Sequence, residues 1–279
     1  MQYTVSCRLD YTIPGPSTFV FNIAPPDTKL QCVETESLTV MPELPVEEFA
    51  APDTGNRYHR LEAADGTLTV LYSATVVSKP AIMSAEGILT TPPSMLPQHT
   101  LPYVLPSRYC ESDQLMRLAW REFGDMPETI ERPARIADWV HDNVDYLLGS
   151  TGPRASAFNT VTARAGVCRD FAHLGIAFCR AMNIPARFVS AYAFDLWPPD
   201  FHAVFEAWLD GRWYLFDPTR LTSRAGLIRL GTGRDAADVS FALIFGPAIM
   251  TGIEVSATPC EAEGALPPRP SMTCAISSA

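Results

Sequence analysis

Apolar residues recur from Val167 at positions 167, 171, 174 and 178, and again at 168, 172, 176 and 179. At helical spacing they cover much of the circumference, so this segment predicts a buried helix that other elements must pack around. Gly166 lets the chain turn sharply ahead of it and places Cys168 in the first helical turn. A thiol there meets unpaired backbone N–H groups and the positive end of the helix macrodipole, both of which favour the thiolate. The same N–H groups can hold an oxyanion. Arg169 adds a cation unless its side chain turns to solvent, and Cys179, three turns deeper, belongs to the core. A lone cysteine is far more often packing than catalysis, so the reading needs a base.

His202 supplies a candidate. It opens the run His202-Ala203-Val204-Phe205-Glu206-Ala207-Trp208-Leu209, followed by Asp210-Gly211 and then Arg212-Trp213-Tyr214-Leu215-Phe216-Asp217-Pro218-Thr219. Two aromatic-rich runs around Asp-Gly predict a hairpin with Leu209 opposite Arg212. Val204 then faces Asp217, and His202 and Asp217 project from one face as diagonal neighbours. A slip of one residue would put them on opposite faces. An aspartate at the end of an aromatic strand can fix an imidazole's tautomer and stabilise its charged form. Pro218 suits a strand end. His173, on the buried helix, reads as a core histidine, and His141 as an exposed helix histidine. Glu206 shares the predicted face of His202 and serves either the site or a supporting network.

Upstream, Tyr3, Val5, Cys7, Leu9, Tyr11 and Ile13 alternate with polar residues, the pattern of a half-buried strand. Further strand-like runs reach to about residue 80, so residues 1–100 read as an N-terminal antiparallel β domain. Its junction lies in a proline-rich stretch over 80–110. Helices follow from Ser112 and from Pro133. A catalytic domain is expected over 101–255 and a loosely ordered tail over 256–279, where proline, alanine and serine dominate.

A net charge of -10 argues against a nucleic-acid partner. No apolar run approaches the ~20 residues that cross a bilayer, so no membrane association is expected. The first residues lack a basic and then apolar leader, which makes the cytoplasm the default location. Seven cysteines without a C-x2-C pair predict neither a zinc site nor a disulfide framework, and no metal or cofactor is expected.

The blocks Gly166-Val-Cys-Arg-Asp-Phe-Ala-His-Leu174, Met182-Asn-Ile-Pro-Ala-Arg-Phe-Val-Ser-Ala-Tyr192, His202-Ala-Val-Phe-Glu-Ala-Trp208 and Trp213-Tyr-Leu-Phe-Asp-Pro-Thr219 together resemble the bacterial transglutaminase-like proteins. The likeness extends to Pro106-Ser107-Arg108-Tyr109, to the β-rich start and to Gly233–Val239. It implies a papain-like α+β fold in which the cysteine helix packs on an antiparallel sheet. It also implies Cys168 as nucleophile, His202 as general base and Asp217 as its orienting partner. The implied chemistry is acyl transfer from a peptide, protein or small amide through a thioester, captured by water or by an amine. Lack of Asp-rich calcium loops inclines the reading to hydrolysis over cross-linking, with a non-catalytic binding module as the other class. One departure is Val204, where an aromatic residue is expected after His-Ala. The second oxyanion donor stays open among Tyr146, Ser156 and Asn159, and Trp197 either lines the cleft or packs its loop.

Overall fold

The computed structural model describes residues 1–260 and 274–278. The N-terminal part contributes β1 (Gln2–Ile13), β2 (Ser17–Phe21), β3 (Gln31–Met41), β4 (Glu47–Ala50), β5 (Arg57–Ala63), β6 (Gly66–Ser78) and β7 (Ala81–Ser84). Then come α1 (Ser112–Phe123), α2 (Glu131–Asn143), β8 (Asp145–Tyr146), α3 (Ala157–Ala163), β9 (Ala165–Gly166) and α4 (Cys168–Ala181). They are followed by β10 (Ala186–Ala193), β11 (His202–Leu209), β12 (Arg212–Phe216), β13 (Leu227–Gly233), β14 (Ala242–Phe245), β15 (Ile249–Pro259) and β16 (Cys274–Ser277).

In β1 every odd residue from Tyr3 to Ile13 is buried, as the alternation predicts. Its sheet runs β15-β1-β6-β3, and a second sheet runs β14-β2-β5-β4. Their inner faces share a core in which Tyr11 meets Phe19 edge-on at 5.1 Å. That core also takes Tyr192, Ile228 and Leu230 from a third sheet, β12-β11-β10-β13, and Phe201 from the loop that leads into it. The β-rich part therefore backs one face of the sheet whose other face carries α4.

The segment from 242 to 259 does not belong with the catalytic part. β14 pairs with β2, and β15 pairs with β1 over most of its length, so the expected boundary at 255 is wrong. The expected loose tail from 256 is corrected at both described ends. Residues 256–259 continue β15, and β16 pairs with β7 while burying Ala275 and Ile276. The rest of that expectation, 261–273 and 279, lies outside the described residues. β15 was invisible to periodicity because it buries only Val255; it is held by backbone hydrogen bonds that complete the edge of β1. The proline-rich stretch crosses the catalytic part, where Leu89 bridges Thr129 and Thr90 bridges Leu209.

α4 is buried from Asp170 through Ala181, as its all-round apolar pattern requires. α1 and α2 press aromatic residues on it: Phe178 lies 5.4 Å from Phe123 and 5.2 Å from Trp139. On the sheet side the helix approaches tightly at Gly175, where a Cβ would stand 2.5 Å from the ring of Phe205. Phe205 is stacked on Phe216 at 5.3 Å and has little room to retreat. Gly175→Val is therefore expected to push the cysteine helix off the sheet and cost about 1–3 kcal/mol through overpacking. A urea melt will measure this, and unchanged stability would mean the helix does not sit so close.

Candidate active site

The turn into α4 is built around Asp170. Its Oδ2 accepts the Val167 N–H (3.0 Å) and the Thr151 hydroxyl (2.7 Å), which ties off a free donor at the helix start. A Cβ on Gly166 would stand 2.8 Å from the Asp170 Cβ, so this glycine is required by close approach and not by an unusual backbone angle. Arg169 spends its guanidinium on Asp170 Oδ1 at 2.9 Å, and so neither turns wholly to solvent nor serves the thiol directly. Cys168 is the first residue of α4 and is partly exposed, with Sγ 4.0 Å from the carbonyl oxygen of Phe201.

The next residue after Phe201 is His202, the first of β11. The hairpin has the expected register, with Leu209 opposite Arg212 and Phe205 opposite Phe216. Asp210 and Gly211 both have positive φ (44° and 79°), the backbone of the tight two-residue turn that matches strand twist. His202 Nε2–H donates to Asp217 Oδ2 at 2.9 Å, and the pair is shut away from solvent. Asp217 Oδ1 accepts the Thr219 N–H (2.9 Å) and the Thr219 hydroxyl (2.7 Å). His202 Nδ1 is buried and makes no hydrogen bond of ordinary geometry.

Charge distribution follows from these contacts. Burial alone drives the imidazole toward its neutral form; the Asp217 carboxylate and then Cys168 outweigh it and push His202 up to about 10. Burial likewise opposes the charge on Asp217, but His202 and the two Thr219 donors hold its carboxyl below the usual range. The ring is thus a stable imidazolium at neutral pH, with Asp217 on one nitrogen and Cys168 the group that favours its charge from elsewhere.

The other expected residues separate clearly. Tyr146 pairs with Gly166 across the short β8–β9 ladder, which lodges it beside the turn into α4. Burial raises its hydroxyl's pKa far above the ordinary value, and Cys168 is the group acting on it next, by charge and by hydrogen bonding. Asn159 is elsewhere: its side-chain oxygen accepts from the N–H (3.1 Å) and hydroxyl (3.0 Å) of Ser156, capping α3. Both oxyanion candidates of that pair are spent on their own helix. Trp197 stands out 81% exposed on the loop ahead of β11. His173 is core as expected, stacked on Tyr109 at 5.1 Å, and burial pushes its imidazole down to about 3. Glu206 belongs to a buried network with Arg187 (2.7 Å) and Arg229 and stands apart from the thiol's partners.

His141 is the misreading with most consequence. It is only partly exposed, and its Nδ1–H donates to the carbonyl of Pro218 at 3.1 Å, while Asp138 pairs with Arg220. α2 thereby grips the loop that carries Asp217. A cavity of about 600 Å³ opens behind this loop, lined by Asp217, Arg220 and Asp138 but by neither Cys168 nor His202. The bonds from Thr219 to Asp217 are an addition to the sequence reading, although an acceptor followed two residues later by a hydroxyl donor is a recognisable local hydrogen-bonding pattern.

A helix-borne thiol beside a strand-borne histidine and an aspartate just past the next strand, on a β-backed sheet, is the arrangement of the transglutaminase-like superfamily, and this chain belongs to that superfamily. The transglutaminase-like core profile matches residues 120–218, and the bacterial transglutaminase N-terminal domain matches residues 1–91. A solved structure of a candidate cysteine protease from Cytophaga hutchinsonii superposes with a TM-score of 0.95 at 42% identity, over 99% of this chain and 97% of that one. An uncharacterized protein of Mycobacterium leprae is 36% identical over 37% of this chain, a match that spans 40% of the relative's own length. One from Mycobacterium tuberculosis is 26% identical over 85% of each chain.

Proposed function

We propose that this protein is a cysteine amidase or peptidase in which Cys168 attacks an amide carbonyl, His202 shuttles the proton and Asp217 holds the imidazole. The observation that carries the reading is the division of labour on the His202 ring. Nε2–H is committed to Asp217 at 2.9 Å, and Nδ1, buried without another partner, is left for the thiol proton. The imidazolium beside Cys168 favours the thiolate by charge and holds the proton that the leaving group will need. The thiolate adds to the carbonyl carbon, and the oxyanion so formed is met by the free N–H groups at the start of α4. Tyr146, lodged at the same turn, is the side chain proposed as the further oxyanion donor. Nδ1–H then protonates the departing nitrogen, the C–N bond breaks, and a thioester remains on Cys168. Water, losing its proton to the imidazole, adds to the thioester and releases the carboxylate and the thiolate. Hydrolysis is the proposed outcome because water needs no binding site of its own.

Incubation with a panel of peptide p-nitroanilides and esters, followed by intact-mass analysis, tests this. Expected is an acyl adduct on Cys168 that hydroxylamine removes and that Cys168→Ala abolishes with turnover, its melting temperature being nearly kept because the side chain is partly exposed. No adduct, together with a thiol no more reactive than exposed Cys32, would leave a binding module on the same fold.

A further inference from the structure

The loop ahead of β11 brings a second carboxylate to the thiol. Asp200 Oδ1 accepts the Phe201 N–H at 2.7 Å, and the carbonyl of the same Phe201 lies 4.0 Å from Cys168 Sγ. One residue thus links the two groups, and the hydrogen bond fixes where the carboxylate stands. Its field reaches both His202 and Tyr146. Among the described residues no cation pairs with it. The basic groups beside the thiol are committed elsewhere, Arg169, its neighbour in the chain, to Asp170 at 2.9 Å and His202 to Asp217 at 2.9 Å. An exposed, oriented carboxylate near the thiol, felt by His202 only through its field and held in no ion pair, is poised for a positive group brought by a ligand.

The side of the cleft follows from the proton transfer. His202 delivers its proton to the nitrogen that leaves, so groups just before His202 in the chain border the amine half of the substrate. By microscopic reversibility an amine that captures the thioester enters at the same place. We propose that Asp200 is a specificity-determining residue that selects an amine component carrying an additional ammonium or guanidinium group, whether that component departs or enters. This rests on the thiol chemistry proposed above.

Charged methanethiosulfonates test it without knowledge of the substrate. Each reagent converts the Cys168 thiolate to a mixed disulfide and releases methanesulfinate, and peptide mass spectrometry reads Cys168 separately from Cys32. The ratio of trimethylammonioethyl to sulfonatoethyl reagent rates is expected to be roughly tenfold higher at Cys168 than at Cys32, an exposed thiol of the same acidic chain. Asp200→Asn, which keeps an acceptor for the Phe201 N–H, should bring the ratio down to that of Cys32, and added salt should shrink it in the wild type. A ratio unmoved by Asp200→Asn, or one favouring the anionic reagent, overturns the proposal. The neutral reagent methyl methanethiosulfonate reports on the thiol alone, so loss of activation at Cys168 with the charge ratio intact would sink the enzymatic reading and leave the carboxylate's role standing. In a second arm, cadaverine and lysyl-alanine amide are compared as protectants of Cys168 against iodoacetamide. Protection by the first points to a free diamine and by the second to a peptide, and protection that persists in Asp200→Asn counts against the proposal.

Discussion

In His202→Ala, carbamidomethylation of Cys168 is expected to fall about 100-fold between pH 8.5 and pH 6, whereas the wild-type rate should change by less than about threefold over the same range. An ordinary thiol titrates near 8.5, so about half of it is thiolate at that pH and only about 0.3% at pH 6. The wild-type site has a different proton ledger. Burial opposes charge on His202, but Asp217 and Cys168 raise the imidazole to about 10, so the ring remains protonated throughout that range. An imidazolium that persists beside the sulfur favours thiolate over thiol by charge at every pH in that range, which is the basis for expecting the shallow wild-type profile. Comparing each protein with itself at two pH values matters, because a more acidic thiol is also a weaker nucleophile, and that loss cancels in the ratio. A wild-type profile as steep as the variant's would remove the basis for thiolate chemistry here.

How much of this was legible in the sequence depended on where the information sat. β1, α4 and the β11–β12 hairpin carry their burial in side-chain periodicity, and each has the pattern its residues predict. The hairpin register mattered most for the site: Asp210-Gly211 admits a turn with both φ values positive, and that turn alone puts His202 and Asp217 on one face. The class of fold and the backing β unit followed. Contacts made by backbone groups were hidden. β15 joins β1 through its peptide groups while burying a single apolar side chain, and β16 sits 190 residues from its partner β7 in the sequence, so no local pattern announces either. Polar candidates failed for a related reason. Asn159 and Tyr146 are equally plausible donors on paper, but Ser156 three residues before Asn159 offers it a helix to cap, and the β8–β9 ladder that turns Tyr146 toward the thiol is only two residues long. His141 resembled a solvent-facing helix residue because its partner, the Pro218 carbonyl, lies 77 positions away.

The same contacts explain why an isosteric change at Asp217 should be severe. Asp217→Asn is expected to lower turnover by about 10³- to 10⁴-fold while leaving the melting temperature close to that of the wild type. Thr219 presents two donors to one carboxylate oxygen, its N–H at 2.9 Å and its hydroxyl at 2.7 Å, and that pair will claim the carbonyl oxygen of the replacing amide. The amide NH2 is then left pointing at His202 Nε2, which must give up its proton to accept the bond. The ring's single proton moves to Nδ1, the nitrogen reserved for the thiol's proton, and the neutral imidazole is held in the wrong tautomer. Electrostatics push the same way. With the carboxylate gone, the burial that already opposes charge on His202 is no longer outweighed, and the imidazolium is lost at neutral pH. A His202 ring signal followed by NMR should show the charged form from pH 5 to pH 9 in the wild type and the neutral form over most of that range in Asp217→Asn. Retention of the imidazolium in the variant, or turnover within tenfold of the wild type, would mean that Asp217 holds the hairpin end together and leaves the proton transfer to other groups.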